Sequence, residues 1–268
     1  TGKRRRLRIA GEKLLIEFGY DQLIAEAARK TPGVEWDRQS KTFSAPLSAV
    51  VPVATLCRKF SFDIAADVED LETLESRHTS SMVEASRALD AQLDVTGIEG
   101  ELKHFQRAGI AYALETRRCF IADDMGTGKT IQSLVALEAA SQQGVTAWPA
   151  IVVCPATLVL NWQREAGKWL PHRTSRVVQG RKDPGDLAGI DIIIVGWPNV
   201  SAHAELLSGY SSYIFDESHA AKNYEAARTK AAIKIAKKAP GLVLCLTGTP
   251  ITNRPAEYAA QLEILGRL

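Results

Sequence analysis

The stretch IADDMGTGKT, residues 121–130, begins in the apolar run CFIAD and ends in the helix-like segment KTIQSLVALEAA. It fits the phosphate-loop pattern G-x-x-x-x-G-K-[ST] except at the first position, where Asp123 replaces glycine. A strand, a glycine-containing turn and a helix N-terminus in succession present backbone N–H groups to an anion. This context favours a phosphate site over a chance glycine-rich turn. We expect Lys129 to reach the β and γ phosphates of a nucleotide and the Thr130 hydroxyl to bind Mg²⁺.

An acidic pair follows a second apolar run. The segment SYIFDESHAAKN places Asp216 and Glu217 at the end of a predicted strand, where they have no packing role and would be costly to bury unpaired. Asp216 is expected to hold the Mg²⁺ shell, and Glu217 to orient and deprotonate the attacking water. The two motifs together predict a magnesium-dependent nucleotide site.

Short apolar runs alternate with longer helix-like stretches from about residue 98 onward. Fully apolar strands are typical of a sheet with both faces covered, and their alternation with helices indicates a parallel α/β sheet. Ligands of such sheets bind at the carboxyl ends of the strands, where both motifs lie. The six runs are CFIAD (119–123), AIVVC (150–154), RVVQG (176–180), DIIIV (191–195), YIFDE (213–217) and LVLCL (242–246).

The composition is that of an ordinary soluble globular protein, with 46% hydrophobic and 24% charged residues among 268. A net charge of +2 does not by itself indicate a nucleic-acid partner, and the basic start TGKRRRLR fits either a phosphate-gripping arm or a solvated tail. No apolar run approaches the roughly 20 residues that span a bilayer, and no signal peptide is evident. We therefore expect an intracellular protein of the cytoplasm, nucleoid or nucleus, without a membrane partner.

The four cysteines form no CxxC pair, and three of them lie in apolar runs. This pattern favours small buried hydrophobes in a reducing compartment over a structural zinc site.

The first 66 residues have a different pattern, which predicts a small α+β domain. KLLIEFG predicts a strand, YDQLIAEAARKTPG a short helix, and VEWDRQSKTFSAP a hairpin. Residues 67–97 predict a single amphipathic linker helix whose apolar stripe is used for packing, and residues 98–268 form the α/β domain. The stripe consists of Leu71, Leu74, His78, Met82, Ala85, Leu89 and Leu93.

The segment DESH resembles the DExH box of superfamily 2 helicases and translocases. DDMGTGKT is similar to the DEMGLGKT loop of the SNF2 (Swi2/Snf2) group, which also has aspartate at the first loop position. In the family order, LKHFQRAGIAYAL resembles the Q-motif region, IVVCPATLVLNWQREAGKW motif Ia, DESHAAKN motif II, and LTGTPITNRPAEY motif III. The resemblance covers residues 98–268 and implies the first RecA-like lobe of a P-loop NTPase. Three positions depart mildly from the family pattern: Asp124, Thr127 and Tyr258.

The resemblance also implies roles for individual residues. Gln106 would read the adenine edge, and Lys129, Asp216 and Glu217 would be catalytic. The residues of the loop that would hold the nucleotide are Asp124, Met125, Gly126, Thr127, Gly128, Lys129 and Thr130. The residues that would couple nucleotide state to nucleic-acid grip are His219, Thr247 and Thr249. The residues that would meet the phosphates of one nucleic-acid strand are Pro155, Ala156, Thr157, Lys222, Thr249 and Asn253.

Two of these assignments, those of His219 and Lys222, have simpler alternatives in the sequence. A histidine at position 219 by itself more often indicates a satisfied polar residue, and its coupling role follows only from the resemblance. Lys222 is equally compatible with a solvated surface charge. Trp162 and Trp169 lie seven residues apart on one helix face, which favours packing over base stacking.

The stretch LIEFGYDQLIAEAARKTPGVEWDRQSKTFSAP is similar to the HARP-type module that precedes the motor in annealing-helicase-like SNF2 proteins. This likeness implies that the module binds DNA at a fork or junction, and a small domain that only buttresses the motor is the alternative.

For the chain as a whole, the resemblance implies ATP and Mg²⁺ as cofactors, duplex or forked DNA as the partner, and movement on DNA or its remodelling as the function. A second RecA-like lobe, in cis or in trans, would supply arginine fingers worth roughly 10³ to 10⁵ in rate. The chain ends at LEILGRL, soon after motif III, so we expect this monomeric fragment to be weakly active or inactive alone. An RNA-directed DExH helicase and a nucleotide-gated DNA-binding module without motor activity are the alternatives.

Overall fold

The computed structural model describes residues 5–38, 41–248 and 256–268, with side chains from residue 258 in the last range, and it divides into two compact units, residues 1–84 and 85–268. The first unit combines a five-stranded sheet with helices. Its strands are β1 (Arg6–Ala10), β2 (Lys13–Glu17), β3 (Glu35–Asp37), β4 (Thr42–Pro46) and β5 (Asp63–Ile64). Its helices are α1 (Gln22–Lys30), α2 (Val50–Lys59) and α3 (Ala66–Ser86), of which α3 runs to the unit boundary.

The sheet of the first unit has the order β3-β4-β2-β1-β5, and only β1 and β5 pair in parallel. The predicted strand, helix and hairpin are confirmed in β2, α1 and the β3–β4 pair. Of the two interpretations of the basic start, a phosphate-gripping arm or a solvated tail, the tail is wrong from Arg6 onward because Arg6 and Arg8 alternate with the fully buried Leu7 in β1. Arg8 pairs with Glu17 of β2 at 2.9 Å, so this charge is already engaged within the sheet.

The helix predicted for residues 67–97 ends at Ser86, and its predicted packing stripe is confirmed only in part, with Leu71 packed against the core of the first unit. Leu74 and Leu89 are 63% and 84% exposed. After the helix, the Asp90 carboxylate accepts hydrogen bonds of 2.9 Å from Nε and Nη2 of Arg107, which lowers the pKa of Asp90. These bonds tie the segment to the second unit in a non-helical conformation, and Leu93 packs against the core of that unit.

The second unit is built on a parallel sheet in the order β6-β11-β10-β7-β9-β8. Each of the six predicted apolar runs overlaps one of these strands, so the predicted parallel sheet is confirmed. The strands are β6 (Arg118–Ile121), β7 (Ala150–Cys154), β8 (Ser175–Val178), β9 (Ile192–Gly196), β10 (Ser212–Asp216) and β11 (Val243–Leu246). The helices are α4 (His104–Thr116), α5 (Lys129–Gln142), α6 (Val159–Trp169), α7 (Ala227–Ala236) and α8 (Ala256–Ile264).

Helices cover both faces of this sheet because successive strand residues point to opposite sides. In β7, Val152 packs in the core formed with α4, α5 and α6, and its neighbour Val153 packs in the core formed with α7 and α8. The strands are therefore apolar throughout, which is why they appear in the sequence as continuous runs.

The strand register brings the candidate motifs to one edge of the sheet. Leu246 of β11 lies opposite Ile121 of β6 on one side and opposite Asp216 of β10 on the other. The segments that follow these residues therefore leave the sheet side by side at its carboxyl edge. Among the helices of the described ranges, none has the length and apolar character needed to cross a membrane.

The four cysteines are all buried and free. Burial raises the pKa of Cys57 and Cys154 to about 12 and that of Cys119 to about 11, and it also raises the pKa of Cys245. The thiolate is the reactive form, so we expect the native protein to react very slowly with an aromatic disulfide reagent at pH 7.5. Absorbance at the released thiolate measures this, with the denatured chain as the reference that exposes all four thiols. Rapid modification of the native protein would contradict the buried placement.

Candidate nucleotide site

Three loops meet at the carboxyl edge of the parallel sheet. The loop after β6 carries the glycine-rich stretch, the segment after β10 carries the acidic pair, and β11 lies between them. A methyl group built on Gly248, just after β11, would lie 3.2 Å from Cγ of Met125 and 3.8 Å from Nζ of Lys129. The motifs that the sequence separates by about a hundred residues are thus adjacent in space.

The glycine-rich loop has a backbone conformation that depends on its glycines. Gly126 and Gly128 have φ values of +80° and +81°, which cost little for glycine and much for other residues. The Thr127 hydroxyl donates to the Asp124 carbonyl at 2.8 Å and closes the turn. Gly128 is the N-cap of α5, so the loop leads directly into the positive end of a fourteen-residue helix. This arrangement suits an anion, as the sequence predicts.

The ammonium group of Lys129 lies against the same loop. Its Nζ donates to the carbonyl oxygens of Asp123 and Asp124 at 2.8 and 2.9 Å. A single positive charge is therefore held at the point where the loop would enclose a phosphate.

Asp123, which stands in place of the first glycine of the pattern, is anchored to α5. Nε2 of the fully buried Gln132 donates to Oδ2 of Asp123 at 2.8 Å. Gln132 in turn lies against Gly109 of α4, where an added methyl group would come within 2.0 Å of Oε1 of Gln132. Gln132 and Gly109 support the loop but were not predicted from the sequence, because their role depends on a contact between two helices.

Gln106 joins α4 to the glycine-rich loop. Its Oε1 accepts from the Lys103 N–H at 2.9 Å, and its Nε2 donates to the Thr127 carbonyl at 3.0 Å. The side chain is buried, and its amide stabilises the loop through the bond to Thr127. The predicted contact to adenine remains a prediction, and it would have to use the remaining N–H and lone pair of this amide.

Asp216 is the last residue of β10 and is only 8% exposed. Its Oδ2 accepts from the Trp162 indole Nε1 at 2.8 Å, and its Oδ1 accepts from the Glu217 N–H at 3.0 Å. Burial raises the pKa of Asp216, while the bond from Trp162 and the positive charge of Lys129 partly offset this effect. A carboxylate at the edge of a phosphate site supplies the oxygen ligand that Mg²⁺ prefers.

Glu217 follows in a strained conformation, with φ of +48°. Its Oε2 lies 3.3 Å from Nδ1 of His219 without the geometry of a hydrogen bond. Within the described part of the chain, neither of these two buried atoms has a hydrogen-bond partner. Strain and unsatisfied polar atoms are costly for the fold alone, and they concentrate at functional sites.

Of the other residues predicted after β11, the structure describes only Thr247, which lies at the same edge of the sheet. Thr247 is fully buried, and its N–H donates to the Ile121 carbonyl at 3.3 Å. Thr249 and Asn253 lie outside the described residues.

The residues predicted to contact nucleic acid, where the structure describes them, lie in the segments after β7 and β10. Pro155, Ala156 and Thr157 come directly after β7, and the latter two are exposed in the short 3₁₀ turn Ala156–Leu158. Lys222 is exposed after the turn that follows Glu217. Their contact with nucleic acid stays a prediction.

The tyrosine at position 258, which departs from the family pattern, is explained by a local ring contact. Its ring stacks on that of Phe120 in β6, with centroids 4.7 Å apart and planes 18° apart. The aromatic side chain thus fills the space between α8 and the sheet.

A parallel sheet with a glycine-rich loop at one strand end and an acidic pair at another defines a RecA-like P-loop NTPase lobe. The family model of the SNF2-related domain matches residues 32–267, so the chain belongs to the SNF2 group of the superfamily 2 DExH proteins. Both the predicted fold class and the predicted family are confirmed. The HARP-like character of the first unit and the three-domain division stay predictions.

Named relatives are similar over large parts of the chain. The mouse DNA annealing helicase and endonuclease ZRANB3 is 35% identical over 175 residues, covering 62% of this chain and 16% of the relative. The cattle SWI/SNF-related matrix-associated actin-dependent regulator of chromatin subfamily A-like protein 1 is 31% identical over 251 residues, covering 91% of this chain and 23% of the relative.

A solved structure is similar as well. The Sulfolobus solfataricus SWI2/SNF2 ATPase core in complex with dsDNA matches with a TM-score of 0.59 and 26% identity, over 66% of this chain and 38% of that one. The chain thus spans less than two fifths of each of these three proteins.

Proposed function

We propose that this chain forms the ATP-binding lobe of a DNA-dependent ATPase that couples hydrolysis to movement on DNA or its remodelling. The observation that carries the proposal is that the Lys129 loop after β6 and the pair Asp216 and Glu217 after β10 flank the end of β11 at one edge of the sheet. The SNF2 membership of the chain and the names of its relatives support DNA as the partner.

The residues present fit ATP and Mg²⁺. The loop offers positive-φ glycines, a helix N-terminus and one lysine, which are the donors that phosphate groups need. In residues 5–38, 41–248 and 256–268, no three His, Cys, Asp or Glu side chains cluster closely enough to hold a metal by themselves. Mg²⁺ commonly uses one or two protein ligands together with nucleotide phosphates and water, so Thr130 and Asp216 suffice as its protein ligands. When bound, Mg²⁺ neutralises charge on the phosphates.

The chain's own residues then have separate roles in the proposed reaction. Lys129 exchanges its bonds to the loop carbonyls for bonds to the β and γ phosphates. Glu217 orients the attacking water and accepts its proton, and its unsatisfied Oε2 supports this role. The nucleotide state is coupled to nucleic-acid binding through three residues: His219, Thr247 and Thr249. A second RecA-like lobe, in cis or in trans, contributes arginine fingers to the transferring phosphoryl group.

The DNA contacts of this lobe are assigned to residues that suit sequence-independent binding of phosphates. The backbone amides of Ala156 and Thr157, the Thr157 hydroxyl and Lys222 meet one strand of the duplex. Pro155, Thr249 and Asn253 are assigned to the same strand. Residues 1–66 are assigned to a HARP-like module that binds forked DNA.

The full-length protein is expected to hydrolyse ATP at least about fivefold faster when duplex DNA is added, in the range of ordinary coupling between two ligands. Duplex RNA of the same length and sequence is the matched control, and phosphate release is the measurement. Stronger stimulation by RNA than by DNA would favour an RNA-directed helicase. Nucleotide binding without any hydrolysis would favour a nucleotide-gated binding module.

A further inference from the structure

Two buried tryptophans hold Asp216 from neighbouring parts of the sheet. Trp162 donates its indole N–H to the carboxylate Oδ2 at 2.8 Å, and Trp197 donates its indole N–H to the backbone carbonyl of the same residue at 2.8 Å. Both tryptophans are at least 97% buried. Side chain and main chain of a single aspartate are therefore fixed by two separate donors.

These donors come from the segments that follow two other strands. Trp162 lies in the first turns of α6, shortly after β7, which pairs with β10. Trp197 follows directly on β9, the next strand in the sheet. An indole N–H has no charge to lose and no acceptor capacity, so it can only donate. A rigid ring in a packed core also holds its donor in one direction.

Packing alone does not account for the bond from Trp162. Trp169 lies on the same helix and is also buried, yet its Nε1 has no hydrogen-bond partner among the described residues. This part of the fold therefore tolerates a buried indole whose N–H is unbonded. The bond between Trp162 and Asp216, across 54 positions of sequence, is a specific feature of the acidic pair.

We propose that Trp162 is a positioning residue that orients the Asp216 carboxylate toward Mg²⁺, with Trp197 fixing the main chain beneath it. This inference rests on the proposed magnesium role of Asp216. The indole N–H fixes Oδ2 and the Glu217 N–H fixes Oδ1, and each carboxylate oxygen keeps a further lone pair for a cation. Outer partners of metal ligands commonly change metal affinity by about 10- to 100-fold when they are removed.

The test uses Trp162→Phe, which removes the N–H donor and keeps an aromatic ring, with Trp169→Phe as the matched control on the same helix. Calorimetric titration with ADP at increasing Mg²⁺ gives the Mg²⁺ concentration for half-maximal enhancement of binding. Trp162→Phe is expected to raise this concentration about tenfold. It should leave ADP affinity without Mg²⁺ unchanged, and Trp169→Phe is expected to shift neither quantity. Equal behaviour of the two variants would overturn the proposal.

A second measurement on the unaltered protein covers the case in which Trp162→Phe does not fold. The indole ¹⁵N–H resonances of the five tryptophans can be resolved after isotopic labelling. We expect the Trp162 resonance to move when Mg²⁺ is added to the ADP complex and that of Trp169 to stay in place. An unmoved Trp162 resonance would count against the positioning role.

The experiment separates this inference from the function on which it rests. If the unaltered protein binds ADP with no dependence on Mg²⁺, and Asp216→Asn changes nothing, the magnesium role itself fails and the positioning role fails with it. If binding depends on Mg²⁺ and on Asp216 but not on Trp162, only the positioning role fails.

Discussion

Replacement of Glu217 by glutamine is expected to slow ATP hydrolysis roughly 10²- to 10⁴-fold, the usual contribution of a general base. The amide has nearly the shape of the carboxylate but cannot accept a proton from water. The Glu217 carboxylate lies beside His219, and the substitution keeps its shape, so we expect the loop around Lys129 to stay in place. Steady-state phosphate release in the full-length protein measures the rate, and titration with a labelled nucleotide measures binding, which should hardly change.

Glu225→Gln is the matched control for this experiment. Glu225 lies eight positions further along the chain, is exposed, and pairs with Lys230 at 2.7 Å. Surface substitutions of this kind are commonly within ±0.5 kcal/mol, so we expect the hydrolysis rate to stay within about twofold. Undiminished hydrolysis by Glu217→Gln would mean that the acidic pair is not catalytic, and it would favour the nucleotide-gated module.

The sequence predicted the parallel sheet because buried parallel strands must be apolar on both faces. It also predicted where the polar residues would meet, since parallel strands present their carboxyl ends at one edge. Asp216 and Lys129 could be placed together on this argument alone. Neither step required knowledge of side-chain contacts.

Other features could not be predicted because they depend on contacts distant in sequence. The charge of Arg6 and Arg8 concealed the alternation that makes β1 a strand with Leu7 inside. The apolar period of residues 71–93 predicted one helix, whereas the ion pairs of Asp90 hold the chain after Ser86 in another conformation.

The two tryptophans of α6 illustrate the same limit within the site. Their spacing predicted packing, and the burial of both side chains confirms it. That spacing says nothing about which indole meets Asp216, since the aspartate comes from a different strand.

Gly128→Ala is expected to weaken nucleotide binding roughly 10- to 400-fold, by combining two separate costs. A left-handed conformation costs a non-glycine residue about 1–2 kcal/mol, and Gly128 has φ of +81°. The added methyl group would also lie 2.5 Å from Nε2 of Gln106. The amide must move, and its hydrogen bond to the Thr127 carbonyl, worth about 0.5–1.5 kcal/mol, is then lost.

Gly144→Ala, beyond the other end of the same helix, is the matched control for the cost of a left-handed backbone conformation outside the nucleotide site. Gly144 has φ of +82°, and a methyl group there would meet no atom within 4 Å. We therefore expect Gly144→Ala to lower the free energy of unfolding by about 1–2 kcal/mol and to leave nucleotide affinity unchanged. Denaturant titration and fluorescence titration with a labelled nucleotide measure the two quantities. Equal losses of affinity in both variants would show that general destabilisation is responsible, whereas a loss confined to Gly128→Ala would assign the effect to the loop itself, through its backbone conformation and its contact with Gln106.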